Sequence, residues 1–260
     1  MLRNPYENNI HFISEAEYHA DPKISRSQVW KMLTRSAAHA RVPTPATTAM
    51  EIGTATHAAL LEPFEFDKRF EKGPSSRRGN AWKEKYEEAL AQGKTLLTEA
   101  DYLTVQKMTE AVLKSTTASS LLQSNTAVKE ATSFFTDSTG LECKARFDIL
   151  DEADDLIIDL KTTSNASADA FSKSCGLYGY HLQAAWYMAA YPAKQFLFIV
   201  VEKEEPYGIS FFELDESSLS EGERLMREGL DYWKVCAELD VWPSYPDSLR
   251  TISIPHWSRR

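Results

Sequence analysis

A change of hydrophobic period near residue 126 constrains this chain more than any other feature. Beyond it, apolar residues alternate with polar ones, the period of a strand with one buried face. Ala127 to Phe135 reads as a strand, and Asp137-Ser138-Thr139-Gly140 supplies turn chemistry. Leu141 to Leu150 alternates as a second strand, and Asp151–Asp155 turns the chain. Leu156-Ile157-Ile158 opens a third strand, short and buried. Residues 167–191 read as helical, Phe196 to Val201 as a core strand and Pro206 to Leu214 as a further strand. Glu216 to Leu239 closes the pattern as a long amphipathic helix.

Before residue 126 the period is helical. Residues 1–24 form an irregular lead-in, and Ser25 to Ser36 carries Val29, Met32 and Leu33 at helical spacing. The Pro43–Pro45 stretch breaks that helix. A second helix runs from about Thr48 to Leu61 and stops before Pro63. Residues 63–80 read as a charged loop with Lys68, Arg69, Lys72, Arg77 and Arg78, followed by helices over about 80–92 and 99–115. With no repeat and no clear linker, the expectation is one α/β domain over 1–260: a mostly helical part at 1–125 and a strand-rich part with a mixed sheet at 126–260.

Composition excludes several classes. A chain of 260 residues that is 43% hydrophobic and 26% charged can bury a full core. The longest apolar runs, such as Phe196 to Val201, are too short to cross a bilayer, and MLRNPYENNI lacks the basic-then-apolar order of a secretory signal. Cys143, Cys175 and Cys236 lie far apart with no CxxC pair, which argues against a zinc site, an iron–sulfur cluster or a disulfide framework. A reducing cytoplasm is the expected home. The net charge of −9 argues against a nucleic-acid partner on the average, since neutralising phosphates needs cations. A groove that gathers the cations locally removes the objection.

The chemistry-bearing residues cluster in the strands. Asp148 stands near the end of one strand and Asp159 near the end of the next, with Lys161 two positions on. Side chains at i and i+2 of a strand share a face, so Asp159 and Lys161 point together and a tight hairpin brings Asp148 beside them. Two carboxylates can hold a hard divalent cation. Such a cation polarises a phosphodiester, and an adjacent ammonium stabilises charge that develops on it. The triplet Asp159-Leu160-Lys161 alone is weak, because strand-end Asp and Lys often only face solvent. The preceding Asp148 and the buried-looking Ile157-Ile158 strengthen it.

Other residues leave two readings open. His57, in Gly53-Thr54-Ala55-Thr56-His57, fits a core histidine satisfied by one hydrogen bond better than a ligand. Gln183 and Tyr187 lie one helical turn apart and could reach a phosphate or simply pack. Glu130 is either on the active face of its strand or a solvated carboxylate. Ser25, Arg26 and Ser27 at a helix start suit an anion or serve as an N-cap. Arg77 and Arg78 either grip phosphates or face solvent.

Taken together, these segments resemble the nuclease domain of exonuclease VIII, the RecE-type family of the PD-(D/E)xK nucleases. The resemblance spans nearly the whole chain. It rests on Tyr18-His19-Ala20 with Ile24-Ser25-Arg26-Ser27-Gln28, and on Gly53-Thr54-Ala55-Thr56-His57 with Leu61-Glu62-Pro63. It continues through Asp148, Asp159-Leu160-Lys161-Thr162-Thr163, and Tyr180-His181-Leu182-Gln183 with Tyr187. Trp242-Pro243 and Ile252-Ser253-Ile254-Pro255-His256-Trp257 complete it, while Arg26 departs from a familiar lysine and keeps its charge.

The resemblance implies a central mixed sheet flanked by helices. It makes His57, Asp148, Asp159 and the Leu160 carbonyl ligands of Mg2+, which Mn2+ replaces, and Lys161 the catalytic lysine with Gln183 and Tyr187 beside it. It further implies 5′-to-3′ degradation of duplex DNA from its ends, leaving 3′ single strands for an annealing protein. A homo-oligomeric ring, trimeric or tetrameric, and a phage or prophage origin in a bacterial host follow as expectations. A restriction-type endonuclease and a catalytically silent DNA-binding subunit are the rival readings. The absence of a recognition module disfavours the first, and the complete Asp–Asp–Lys set disfavours the second.

Overall fold

The computed structural model describes residues 10–254. The first nine residues of the lead-in and Pro255-His256-Trp257 of the C-terminal motif lie outside that range. In chain order the elements are β1 (Ile10–His11), α1 (Glu15–Ala20), β2 (Ile24–Ser25), α2 (Arg26–Thr34), α3 (Ala37–Ala40) and α4 (Thr48–Leu61). Then come α5 (Pro63–Arg69), β3 (Phe70–Lys72), α6 (Asn80–Ala91), β4 (Thr95–Leu97), α7 (Glu99–Lys114) and α8 (Thr116–Leu122). The rest are β5 (Ala127–Thr136), β6 (Glu142–Asp151), β7 (Leu156–Thr163), α9 (Ala168–Tyr178), α10 (Tyr180–Ala190), β8 (Gln195–Glu202), β9 (Ile209–Phe212) and α11 (Glu216–Leu239).

The expected mixed sheet is present. Its seven strands run β1-β5-β6-β7-β8-β9, with β2 added in parallel to β6. β5, β6 and β7 form an antiparallel meander, and β7 pairs with β8 in parallel across the α9–α10 crossover. Helices cover both faces. On one, Val29 of α2, Leu182 and Trp186 of α10 and Leu230 of α11 pack with Phe147 and Phe198. On the other, Ala55 and Leu61 of α4 and Val105, Met108 and Val112 of α7 pack with Ile149, Ile158 and Ile199. Helix starts follow their polar caps: the Thr47, Thr98, Ser167 and Asp215 side chains each accept a backbone N–H of the first turn.

Several expectations need correction. The lead-in is not irregular throughout, because β1 and α1, capped by Ser14, fall in its described part, and the strand expected over Pro206–Leu214 is only β9. Residues 63–80 are not all loop, because Pro63 takes the first turn of α5, where its missing N–H costs nothing, and β3 follows. The helix expected over 167–191 is two. Gly179 breaks it with φ 68, and a Cβ there would lie 2.6 Å from the Trp30 ring, so both backbone and space demand glycine. β7 is longer than its apolar start and runs through Lys161 to Thr163, held by eight parallel pairs to β8.

Candidate active site

The site stands where β6 and β7 part. They pair only at Ile149↔Ile158, Leu150↔Ile157 and Asp151↔Leu156, all on the hairpin side of Asp148 and Asp159. Beyond that point β2 takes the vacated edge of β6, pairing Ile24↔Cys143 and Ser25↔Lys144, and α2 starts at Arg26 beside the gap. The pleat also slips. Ala145 and Phe147 face one core, yet Ile149, which alternation puts beside them, faces the other. Opposite the slip, the β5 ladder pairs Lys129↔Ile149 and Ala131↔Phe147 and skips Glu130, whose φ of 52 lies in the left-handed region. For a residue with a Cβ that conformation costs about 1–2 kcal/mol, and strain of this kind gathers at functional sites.

Within the gap the polar groups interlock. The Leu160 N–H donates to Asp148 Oδ2 at 2.7 Å. His57, from the middle of α4, donates through Nε2 to the Leu160 carbonyl at 3.0 Å and places Nδ1 3.5 Å from Asp148 Oδ1. Gln183 donates through Nε2 to Asp159 Oδ1 at 2.5 Å and accepts at Oε1 from Arg26 Nη2 at 2.9 Å. Lys161 forms an ion pair with Asp159 Oδ2, and its ammonium lies 4.8 Å from the centre of the Tyr180 ring. Arg146 binds Glu130 at 2.6 Å and the Ile13 carbonyl at 2.9 Å.

Carboxylates and cations are confined together here, with little water to screen them. Burial pushes the His57 imidazole down, but the Asp148 carboxylate outweighs it and lifts the pKa to about 9. Burial raises Asp148, but His57, Lys161 and the Leu160 N–H together more than reverse that, leaving it below the usual carboxylate range. Glu130 goes up to about 7 through burial and the Asp148 charge, against the pull of Arg146. Burial also raises Asp159, against the opposing pull of Lys161.

These groups fit a divalent cation. His57, Glu130 and Asp148 each bring one ligand atom within 4.8 Å of the others. Asp159 Oδ2 is buried, with the Lys161 ammonium as its partner. An imidazole with hard carboxylate oxygens is a donor set for such an ion. The grouping takes in Glu130, which the expected ligand set did not name, and does not take in Asp159.

The remaining candidates divide. Tyr187 is partly buried and edge-on to Phe147, 5.4 Å between ring centres, with its hydroxyl pKa raised well above the usual value by burial and Asp159. Ser25 donates its N–H and its hydroxyl to Gln28 Oε1, both at 2.9 Å, and Ser27 occupies the first turn of α2. Arg77 does not stand free. It binds Glu51 at 2.9 Å and Asp101 at 3.4 Å and lies over Trp82, whereas Arg78 is exposed. Arg146, the partner of Glu130, stands outside the expected site residues. Its position two residues before Asp148, on the same strand face, was the available signal.

Residues 29–252 match a family described as a PDDEXK-like domain of unknown function (DUF3799). The chain belongs to this family. A PDDEXK-like domain supports a nuclease, and the mixed sheet flanked by helices is the fold such a domain has. No curated protein matches the chain. Among solved structures it is similar to a candidate exonuclease from Eubacterium rectale, with 14% identity, a TM-score of 0.67, and 94% of this chain and 96% of that one covered. It is also similar to a phage-related exonuclease from Haemophilus somnus 129PT, with 14% identity, a TM-score of 0.39, and coverage of 84% and 96%. At such identity the first likeness speaks for the fold of this PDDEXK-like domain, and the second carries no argument. No helix of the described residues is long and apolar enough to cross a membrane.

Proposed function

We propose that this PDDEXK-like domain is a magnesium-dependent exonuclease that degrades duplex DNA from its 5′ end. The 3′ single strands it leaves serve recombination by strand annealing. The observation that carries this reading is the meeting of Asp148, Asp159 and Lys161 at the parting of β6 and β7, with His57 and Glu130 closing the group.

A divalent cation held by His57, Glu130 and Asp148, with Asp159 and the Leu160 carbonyl alongside, supplies Lewis-acid charge for the scissile phosphodiester. Magnesium suits the hard oxygen donors, and manganese substitutes. Lys161 donates hydrogen bonds to charge developing on the phosphoryl group. Gln183 holds Asp159 in place, and Tyr187 walls the site. Ser25, Arg26 and Ser27 meet the 5′-phosphate at the start of α2, where free N–H groups and the helix dipole favour an anion. Arg78, and Arg77 once released from its carboxylates, meet the duplex backbone.

The resemblance to the RecE-type nucleases favours a closed ring, a trimer or tetramer, and the charge of −9 asks only that the cations be gathered, as a ring with cations inward and acids outward would do. Its partners are duplex ends and a single-strand annealing protein, in the cytoplasm of a host whose phage or prophage encodes it. The reading is tested with linear duplex, nicked circle and covalently closed circle in magnesium. Nucleotides should leave the linear duplex and not the closed circle. Cutting of the closed circle favours an endonuclease, and release of nothing from any of them favours a silent DNA-binding subunit.

A further inference from the structure

Two large apolar side chains stand in solvent at the corner between α9 and α10, Leu177 at 67% and Tyr178 at 52% exposure. This corner overhangs the C-terminal end of β7, since Tyr180 and Gln183 of α10 touch Lys161 and Asp159. The rings form a short ladder outward from the site. The Lys161 ammonium lies 4.8 Å from the Tyr180 ring, and the Tyr180 and Tyr178 ring centres are 5.8 Å apart.

Tyr180 is anchored from below by Phe171 at 5.8 Å and Phe198 at 5.9 Å. The corner itself cannot flex freely. Gly179 is left-handed and pressed against the Trp30 ring, which in turn meets His181 edge-on at 6.0 Å. A rigid aromatic surface held one ring beyond a phosphodiester-cleaving lysine is a surface on which a nucleobase stacks at little cost in order.

We infer that Tyr178, with Leu177 beside it, is a stacking platform for the base of the nucleotide next to the scissile phosphate. The inference rests on the nuclease reading and extends it from the phosphate to the base. Every base has a π-face, so the platform accepts all four and gives no sequence preference. It requires that base to leave its neighbour in the duplex, so it acts on an unstacked end.

The test uses the whole protein and linear duplexes in which one nucleotide at a time, counted from the 5′ end, is abasic. Wild type should slow by about tenfold, the worth of one base–aromatic stack, at a single position. Y178A should be slower on intact DNA and indifferent to the abasic site, and Y178F should behave as wild type. Equal slowing of wild type and Y178A, or no slow position in wild type, overturns the platform while leaving the nuclease reading intact.

A binding arm separates the two ideas. With chelator present, 2-aminopurine at an unpaired 5′ end, bright before binding, should be quenched by wild type and not by Y178A. If no duplex is digested, the nuclease reading fails, and the fluorescence alone decides the platform. Quenching confined to wild type keeps it, and any other pattern removes it.

Discussion

One pair of strands does two different things along its length. Where β6 and β7 are joined, Ile149, Leu150, Ile157 and Ile158 are almost wholly buried and feed the two cores. Where they part, the same strands carry Lys144, Arg146, Asp148, Asp159 and Lys161. Each of these is tied to a polar partner: Lys144 to the carbonyls of Tyr18 and Asp21, Arg146 to Glu130, Asp148 to Leu160 and His57. The joined end gains from burial. The parted end confines charges that burial disfavours, and it holds them only because the joined end and β8 fix the backbone.

This contrast predicts opposite responses to mutation. The largest stability loss should come from the joined end. Ile157→Ala should cost about 2–5 kcal/mol, as large-to-small changes in a packed core do, read as a drop in the denaturation midpoint. A loss as small as that of a surface change would mean that the joined end is not the support of the site.

The Asp151 carboxylate comes next. Burial raises its pKa, but the Ser124 and Thr126 hydroxyls and the Asp154 and Ala153 N–H groups outweigh that and hold it below the usual range. A depressed pKa stabilises above the unfolded-state value, and the contribution fades as pH falls through the folded one. Asp151→Asn should therefore cost about 1–3 kcal/mol at neutral pH. The gap to wild type should close in acid. A gap that is constant with pH would contradict the assignment.

At the parted end, Gln183→Ala leaves Arg26 and Asp159 without their shared partner. Nuclease rate should fall by about tenfold or more, the worth of one buried hydrogen-bonded group, with Gln183→Glu failing to restore it because it cannot donate to Asp159. Unchanged rates would show that Asp159 needs no positioning. The smallest effect belongs to Arg77, which binds α4 and α7 rather than either end of the contrast. Its partly exposed pairs with Glu51 and Asp101 should be worth no more than about 1 kcal/mol, measured by thermal melts of Arg77→Ala.

The sequence made the apolar parts of this contrast readable and the geometry of the parting unreadable. Alternation located β5 and β6, and the Asp159–Lys161 spacing placed both on one face, as found. Pro63 and Gly179 misled because each has two meanings. A proline ends one helix and opens another, and a glycine inside a helical pattern is tolerated until a neighbour such as Trp30 fills its space. β2 is two residues long, too short for any periodicity, yet it occupies the edge that β7 leaves. The left-handed Glu130 carries no signal in its own residue type. His57 read as a core histidine on its helix alone, since its partners Leu160 and Asp148 are about a hundred positions away in the chain and only the fold joins them.

The most direct test of the parted end as the catalytic one is a single comparison of wild type with Lys161→Ala. Nucleotide release from linear duplex DNA is measured in magnesium, with a thermal melt of each protein. The variant should release nucleotides about a hundredfold more slowly or worse, the loss seen when one transition-state donor is removed, and melt near wild type. A folded Lys161→Ala protein that digests duplex ends at the wild-type rate would contradict the account.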